Sequence, residues 1–137
     1  MGMVERIEVG FPGGQRVDAR FRGLSVLTDQ ALEHGGEGSA PQPFDLFLAS
    51  IATCAGIFAL KFCQARSLST EGLSLTMDWQ GNPVDPSAAQ ATLRLTLPEG
   101  FPDKYRDGIV KAMDLCAVKR AIQNPPRFVT EIAVSSE

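Results

Sequence analysis

Two cysteines are the residues of this chain whose chemistry could define a function. Cys54 lies inside the apolar run FDLFLASIATCAGIFALKFC, and Cys116 opens the basic segment CAVKRAI. About sixty residues separate them, too many for a CxxC redox pair or a local metal knuckle. If the fold brings them together, the chemistry open to them is thiol oxidation followed by disulfide formation. Each also has a plain reading. Cys54 fits a small core hydrophobe, since free cysteine is among the most buried residue types, and Cys116 fits a helix-face thiol beside solvated basic neighbours.

A nucleophilic cysteine must be a thiolate, which requires a nearby positive charge or a helix N-terminus. Cys54 sits about eleven residues into its predicted helix and would need an Arg or Lys supplied by another element. Cys116 has Lys119 and Arg120 on the same helical face. By local electrostatics it reads as the more acidic thiol. Cys63 is turned by roughly 180° from Cys54 and displaced by about 13 Å along an ideal helix, so it reads as packing. His34 is the only histidine, so a histidine-based metal cluster would need other strong ligands, and its place in a Gly-rich segment reads as a loop residue close to the pocket. The GGEG glycines lack phosphate-loop spacing. Phe44, Phe47, Phe58 and Phe62 fall at helical spacings. They read first as packing, and as walls for an apolar substrate if the helix lines a pocket.

The elements that must position these residues follow from periodicity and turn chemistry. VERIEVG (4–10) alternates as a strand, FPGG reads as a turn, and QRVDARFR and LSVLTD follow as short strands broken at Gly23. The Gly/Pro-rich EHGGEGSAPQP (33–43) is a flexible loop. It leads into a helix over about 43–66, with Pro43 in its first turn and Asp45 complementing the helix dipole. STEGLSLTMDW and AQATLRLTLPEG form a hairpin with a long connection. A helix starts at Pro102, and CAVKRAI either continues it or begins a new short one. NPP ends that segment, and FVTEIAV closes the chain as a strand. The order is βββ-α-ββ-α-β, a single α+β domain over residues 1–137.

Bulk properties narrow the function classes. The chain has 137 residues, 44% of them hydrophobic, and a net charge of −3. These values suit one soluble globular domain and give no reason to expect nucleic-acid binding or anionic membranes. Three cysteines, an odd number, do not make a disulfide framework, and MGMVERIEVGFPGGQ has no signal-peptide h-region. The expected compartment is the cytoplasm. Phe44–Cys63 has the length of a membrane span, but Asp45 and Lys61 interrupt its ends and Ser50 and Thr53 dilute its middle. It is read as a core or interface helix. A membrane-anchored protein is the alternative, which recovery without detergent would remove.

APQPFDLFLASIATCAG resembles the OsmC/Ohr family, the osmotically inducible and organic-hydroperoxide-resistance proteins. There a Pro-led, acidic first turn runs through small and apolar residues to a cysteine. LCAVKRAI followed by a terminal strand resembles the family's second cysteine segment, and the element order is similar over nearly the whole chain. The resemblance implies antiparallel sheets around a long central apolar helix, in an intertwined homodimer with active sites at the subunit interface. It implies a thiol-dependent peroxidase for organic hydroperoxides, with Cys54 attacking first, Cys116 resolving to a disulfide, and an external dithiol restoring both. No metal, haem, flavin or other cofactor is implied.

The chain departs from the family at two places and leaves a third open. Hydroperoxide-resistance members carry a Glu ten residues before the first cysteine, where this chain has Phe44; Asp45 is the nearest acid. The partner arginine comes from the N-terminal strands, where Arg16, Arg20 and Arg22 lie and Arg16 is the first choice. Ala117 stands where many relatives have Pro. These departures suggest a divergent OsmC-like member, for which a non-catalytic redox sensor or a dimer binding a small hydrophobic ligand is the alternative function.

Overall fold

The computed structural model of the protein describes residues 5–135. Two compact units divide the chain, Met1–Ser50 and Ile51–Glu137, and the boundary falls inside one continuous helix. The architecture is α+β with antiparallel sheets.

In the first unit, β1 (Glu8–Gly13), β2 (Arg16–Phe21) and β3 (Leu24–Thr28) form an antiparallel meander in the order β1-β2-β3. The strand expected over 4–10 is displaced; its Val4 lies outside the described residues. The expected FPGG turn is a correction too: β1 runs on through Phe11 and Pro12, with a register shift between Gly10 and Gly13. An edge strand tolerates a residue with no N–H, and a bulge absorbs the extra length. The reversal itself uses Gly14 and Gln15. The second reversal, Arg22–Gly23, has φ of 49° and 76°, the left-handed pair of a two-residue hairpin turn.

The Gly/Pro loop, expected to be flexible, is tied down through Asp29. This almost fully buried carboxylate accepts the backbone N–H groups of Gln30 (2.7 Å), Glu37 (3.3 Å) and Ser39 (3.0 Å) and the Ser39 hydroxyl (2.6 Å). The Ser39 hydroxyl first, then the backbone N–H groups against opposing desolvation, lower its pKa to about 2. A Cβ at Gly36 would clash with the Gln30 carbonyl oxygen, so only glycine fits this crossing. Gln42 Oε1 accepts the Ala31 N–H (3.2 Å) and lies 2.9 Å from His34 Nδ1, which accounts for the single histidine as a loop clasp.

Helix α1 (Pro43–Ala65) follows. It is long and apolar enough to cross a membrane by length and composition, and only 28% of its most apolar window is buried. Its outward face, including Ile57, is exposed.

The second unit pairs β4 (Ser74–Gln80) with β5 (Gln90–Thr96) as the expected hairpin. A 3-10 turn at Asp103–Tyr105 leads into α2 (Arg106–Met113), and α3 (Ala117–Gln123) begins anew after a break at Asp114–Cys116. Ala55, Ala59, Phe62 and Cys63 of α1 pack with Phe101, Ile109 and Met113, flanked by Leu73, Leu75, Leu93 and Leu95. The helices approach closely at Gly108, where an added Cβ would meet the Phe62 ring at 3.0 Å. The Arg66 guanidinium lies 3.6 Å from the centroid of that ring.

The expected closing strand FVTEIAV is the clearest departure. Residues 125–135 form no strand, and Phe128, Ile132 and Val134 are 85%, 94% and 89% exposed. A strand needs a neighbour for its N–H and C=O groups, and this segment pairs with no strand among the described residues.

Candidate active site

Cys54 and Cys116 are brought together within the second unit. Cys54 is half-buried on α1, and Cys116 is fully buried at the residue preceding α3. The break after α2 makes this possible. Leu115 N–H bonds the Ala112 carbonyl (3.1 Å), and Cys116 N–H bonds that of Met113 (3.3 Å). Cys116 then turns extended, with φ −48° and ψ 125°. The next two N–H groups, those of Ala117 and Val118, open a new helix and have no partner inside it.

Those groups act on Cys54. Burial pushes the Cys54 thiol up, but hydrogen bonding from Cys116 and from the N–H groups of Val118 and Ala117 outweighs it, and the pKa is lowered. Cys116 moves the other way. Burial is the largest cause, and its bond to Cys54 adds to it against the N–H groups of Lys119 and Val118, so its pKa is raised. The expectation that Cys116 is the more acidic thiol is therefore reversed. Lys119 Nζ is engaged at 2.7 Å by Asp114 Oδ1, and Arg120 is exposed. Cys63 is buried in the core, where burial raises its pKa against the charge of Arg66.

The other candidates are engaged locally. Arg16 belongs to the first unit, is exposed, and donates from Nε to the Gly13 carbonyl at 3.3 Å. Asp45 is exposed in the first turn of α1 and accepts the Gln42 N–H at 2.9 Å, the work of a helix cap. Phe44 and Phe47 meet with their rings tilted by 40° and centroids 5.4 Å apart and are exposed, and Phe58 is half-buried. A cavity of about 350 Å³ in the second unit is lined instead by Gly56, Ala59, Leu60, Leu73, Leu75 and Leu95, among others. Sequence reasoning missed the Ala117 and Val118 N–H donors. The helix start at 116 was the available signal, but it pointed to Cys116 rather than to the thiol it serves.

The chain is an α+β protein in which a mid-helix cysteine meets a second cysteine at a helix start. The family profile described as OsmC-like protein matches residues 36–131, and the chain belongs to that family. Its fold is similar to that of a Psychrobacter arcticus protein described as an osmotic stress induced and detoxification response protein. The TM-score is 0.70 at 20% identity, over 88% of this chain and 89% of the other. An organic hydroperoxide resistance protein from Legionella pneumophila superposes with a TM-score of 0.60 at 21% identity, covering 88% and 90%. One from Elizabethkingia anophelis, with thiocyanate bound, gives 0.60 at 18%, covering 91% and 93%. No curated protein matches the sequence.

Proposed function

We propose that the protein is a thiol-dependent peroxidase that reduces organic hydroperoxides. The observation that carries this reading is the Cys54 thiol held against Cys116 and the Ala117 and Val118 N–H groups. The Cys54 thiolate attacks the terminal peroxide oxygen; the O–O bond breaks, the alkoxide leaves and takes a proton, and Cys54 becomes a sulfenic acid. The Cys116 sulfur then attacks the Cys54 sulfur, and its proton leaves with the sulfenic hydroxyl as water, giving the Cys54–Cys116 disulfide. An external dithiol takes up the oxidation and restores both thiols. The N–H groups stabilise the thiolate without any charged side chain among the causes that lower its pKa.

The working form is a cytoplasmic homodimer. Its support is the exposed apolar surface of each unit: Ile7, Val9 and Phe11 in the first, Phe128, Ile132 and Val134 in the second. Faces of this kind on a soluble protein mark interaction sites. Arg16 and Asp45 remain candidate partners of the site in that assembly, and Phe44, Phe47 and Phe58 candidate pocket walls. The test is consumption of a bulky alkyl hydroperoxide with a dithiol donor by wild type, Cys54→Ser and Cys116→Ser. Cys54→Ser abolishes turnover, and Cys116→Ser accumulates a trappable sulfenic acid. Equal rates in all three would refute the proposal.

A second reading, a non-catalytic dimer sensing redox state or holding a small apolar ligand, is favoured by the 350 Å³ apolar cavity. It predicts ligand retention or a reversible disulfide without turnover.

A further inference from the structure

The first unit carries a feature that the thiol chemistry does not use. A cavity of about 330 Å³ at the β2–β3 turn of the meander is lined by Arg6, Arg20 and Arg22, with Glu8, Ser25 and the apolar Phe21 and Leu24. The strand register explains the clustering. Glu8 lies opposite Arg20, and Arg20 lies opposite Ser25, so these three form one row across the sheet. Arg6 and Arg22, just beyond the strand ends, add two more guanidiniums to the same cavity, and like charges gathered in one place repel unless something neutralises them.

Internal neutralisation is incomplete. Arg22 pairs with Glu5. Arg6 and Arg20 form no ion pair among the described residues, although Glu8 lines the same cavity. The Arg20 guanidinium lies across β1 beside Gly10, where an added Cβ would stand 3.6 Å from Nη2. Arg22 also holds a left-handed turn position, φ 49°, that Asn or Gly fills at lower steric cost. Its presence there puts a third guanidinium at the rim.

We propose that this cavity binds a small phosphate monoester, its phosphate received by Arg6, Arg20 and Arg22 and its organic part lying against Phe21 and Leu24. Guanidinium forks match phosphate oxygens in paired hydrogen bonds, and the Ser25 hydroxyl adds a donor in the same row. A single carboxylate is served by one fork and leaves the other guanidiniums unsatisfied. The volume exceeds what inorganic phosphate fills and falls in the range of small-ligand sites, so an ester with an apolar substituent fits better than the free ion.

The test is calorimetric titration of the full-length protein at low ionic strength with phenyl phosphate, inorganic phosphate and benzoate. Phenyl phosphate binds most tightly, and added salt weakens it. Arg20→Gln and Arg6→Gln each weaken it by about tenfold, and Arg20→Lys restores only part because it keeps the charge and loses the fork. Leu24→Ala weakens phenyl phosphate and leaves inorganic phosphate unchanged. Arg6 lies outside the strands, so its variant reports binding even if Arg20→Gln unfolds. Benzoate binding as tightly as phenyl phosphate overturns the phosphate assignment. Binding indifferent to the Arg6 substitution, or no heat from phenyl phosphate, overturns the site.

Discussion

Ala117→Pro isolates one of the groups that act on Cys54. The position is the first of α3, where proline's fixed φ is already helical and its missing N–H breaks no intrahelical bond. The preceding residue must then be extended, and Cys116 already is, at φ −48° and ψ 125°. The Arg120 N–H to Cys116 carbonyl bond, 3.0 Å, is untouched. What disappears is the Ala117 N–H that stabilises the Cys54 thiolate.

A hydrogen bond to a charged group contributes about 1.5–3 kcal/mol. Sulfur is a weak acceptor, and the Cys116 and Val118 contributions remain, so the loss here is about 1 kcal/mol. That is roughly a fivefold fall in the thiolate fraction at a pH below the transition. The assay is alkylation of Cys54 by iodoacetamide against pH, resolved by peptide mass spectrometry, with ultraviolet thiolate absorbance alongside. Ala117→Gly, which keeps the N–H, serves as the control. A Cys54 titration unmoved in the proline variant, with an unchanged circular dichroism spectrum, would refute the assignment of this N–H as an activating donor.

Other expectations follow from the same structure. In wild type, Cys54 alkylates at a pH below that needed by an ordinary cysteine, and Cys63 and Cys116 resist, because only Cys54 has a lowered pKa; equal profiles for all three contradict this. Asp29, with its folded pKa depressed to about 2 from 3.8, contributes stability above pH 3.8 that is lost as pH falls toward 2. Ser39→Ala should shrink that acid-sensitive loss, read by fluorescence or hydrogen exchange in the 29–42 loop. Gly108→Ala places a methyl 3.0 Å from the Phe62 ring, which is pinned by Tyr105 and Arg66. Overpacking of about 1–3 kcal/mol exceeds the helix-propensity gain of about 1 kcal/mol, so the melting temperature falls; a rise means that the ring yields.

Local signals were read well where they were self-contained. Pro43 and Asp45 marked the start of α1, alternation marked β4 and β5, and Gly23 marked a reversal. What sequence could not supply was partnership. FPGG carried turn residues, yet β1 at a sheet edge accepted Pro12 through a bulge. FVTEIAV has the alternation of a strand but no neighbouring strand among the described residues. The site shows the same division. Cysteine identity and spacing named the pair, whereas the acidity order was misjudged because charge was counted along the helix. Lys119 was credited to Cys116, but folding gives it to Asp114. The donors that matter are main-chain N–H groups, which carry no residue signature.

The reversed acidity bears on the order of the proposed reaction. An attacking thiol needs both charge and access, and Cys54 alone has its pKa lowered and its side chain partly open. Cys116 has neither, being fully buried with a raised pKa, which shields it from meeting peroxide first. Its retained proton then has a use at each stage. In the reduced state the S–H donates to the Cys54 sulfur and steadies the thiolate. After oxidation the same proton is the one that leaves with the sulfenic hydroxyl as water. A basic side chain placed against Cys116 would weaken both roles, because a second thiolate beside the first would repel it and raise its pKa. The Asp114–Lys119 ion pair, 2.7 Å long, keeps Lys119 occupied. Holding that lysine away from Cys116 is therefore consistent with a division of labour in which one thiol is charged and the other remains protonated.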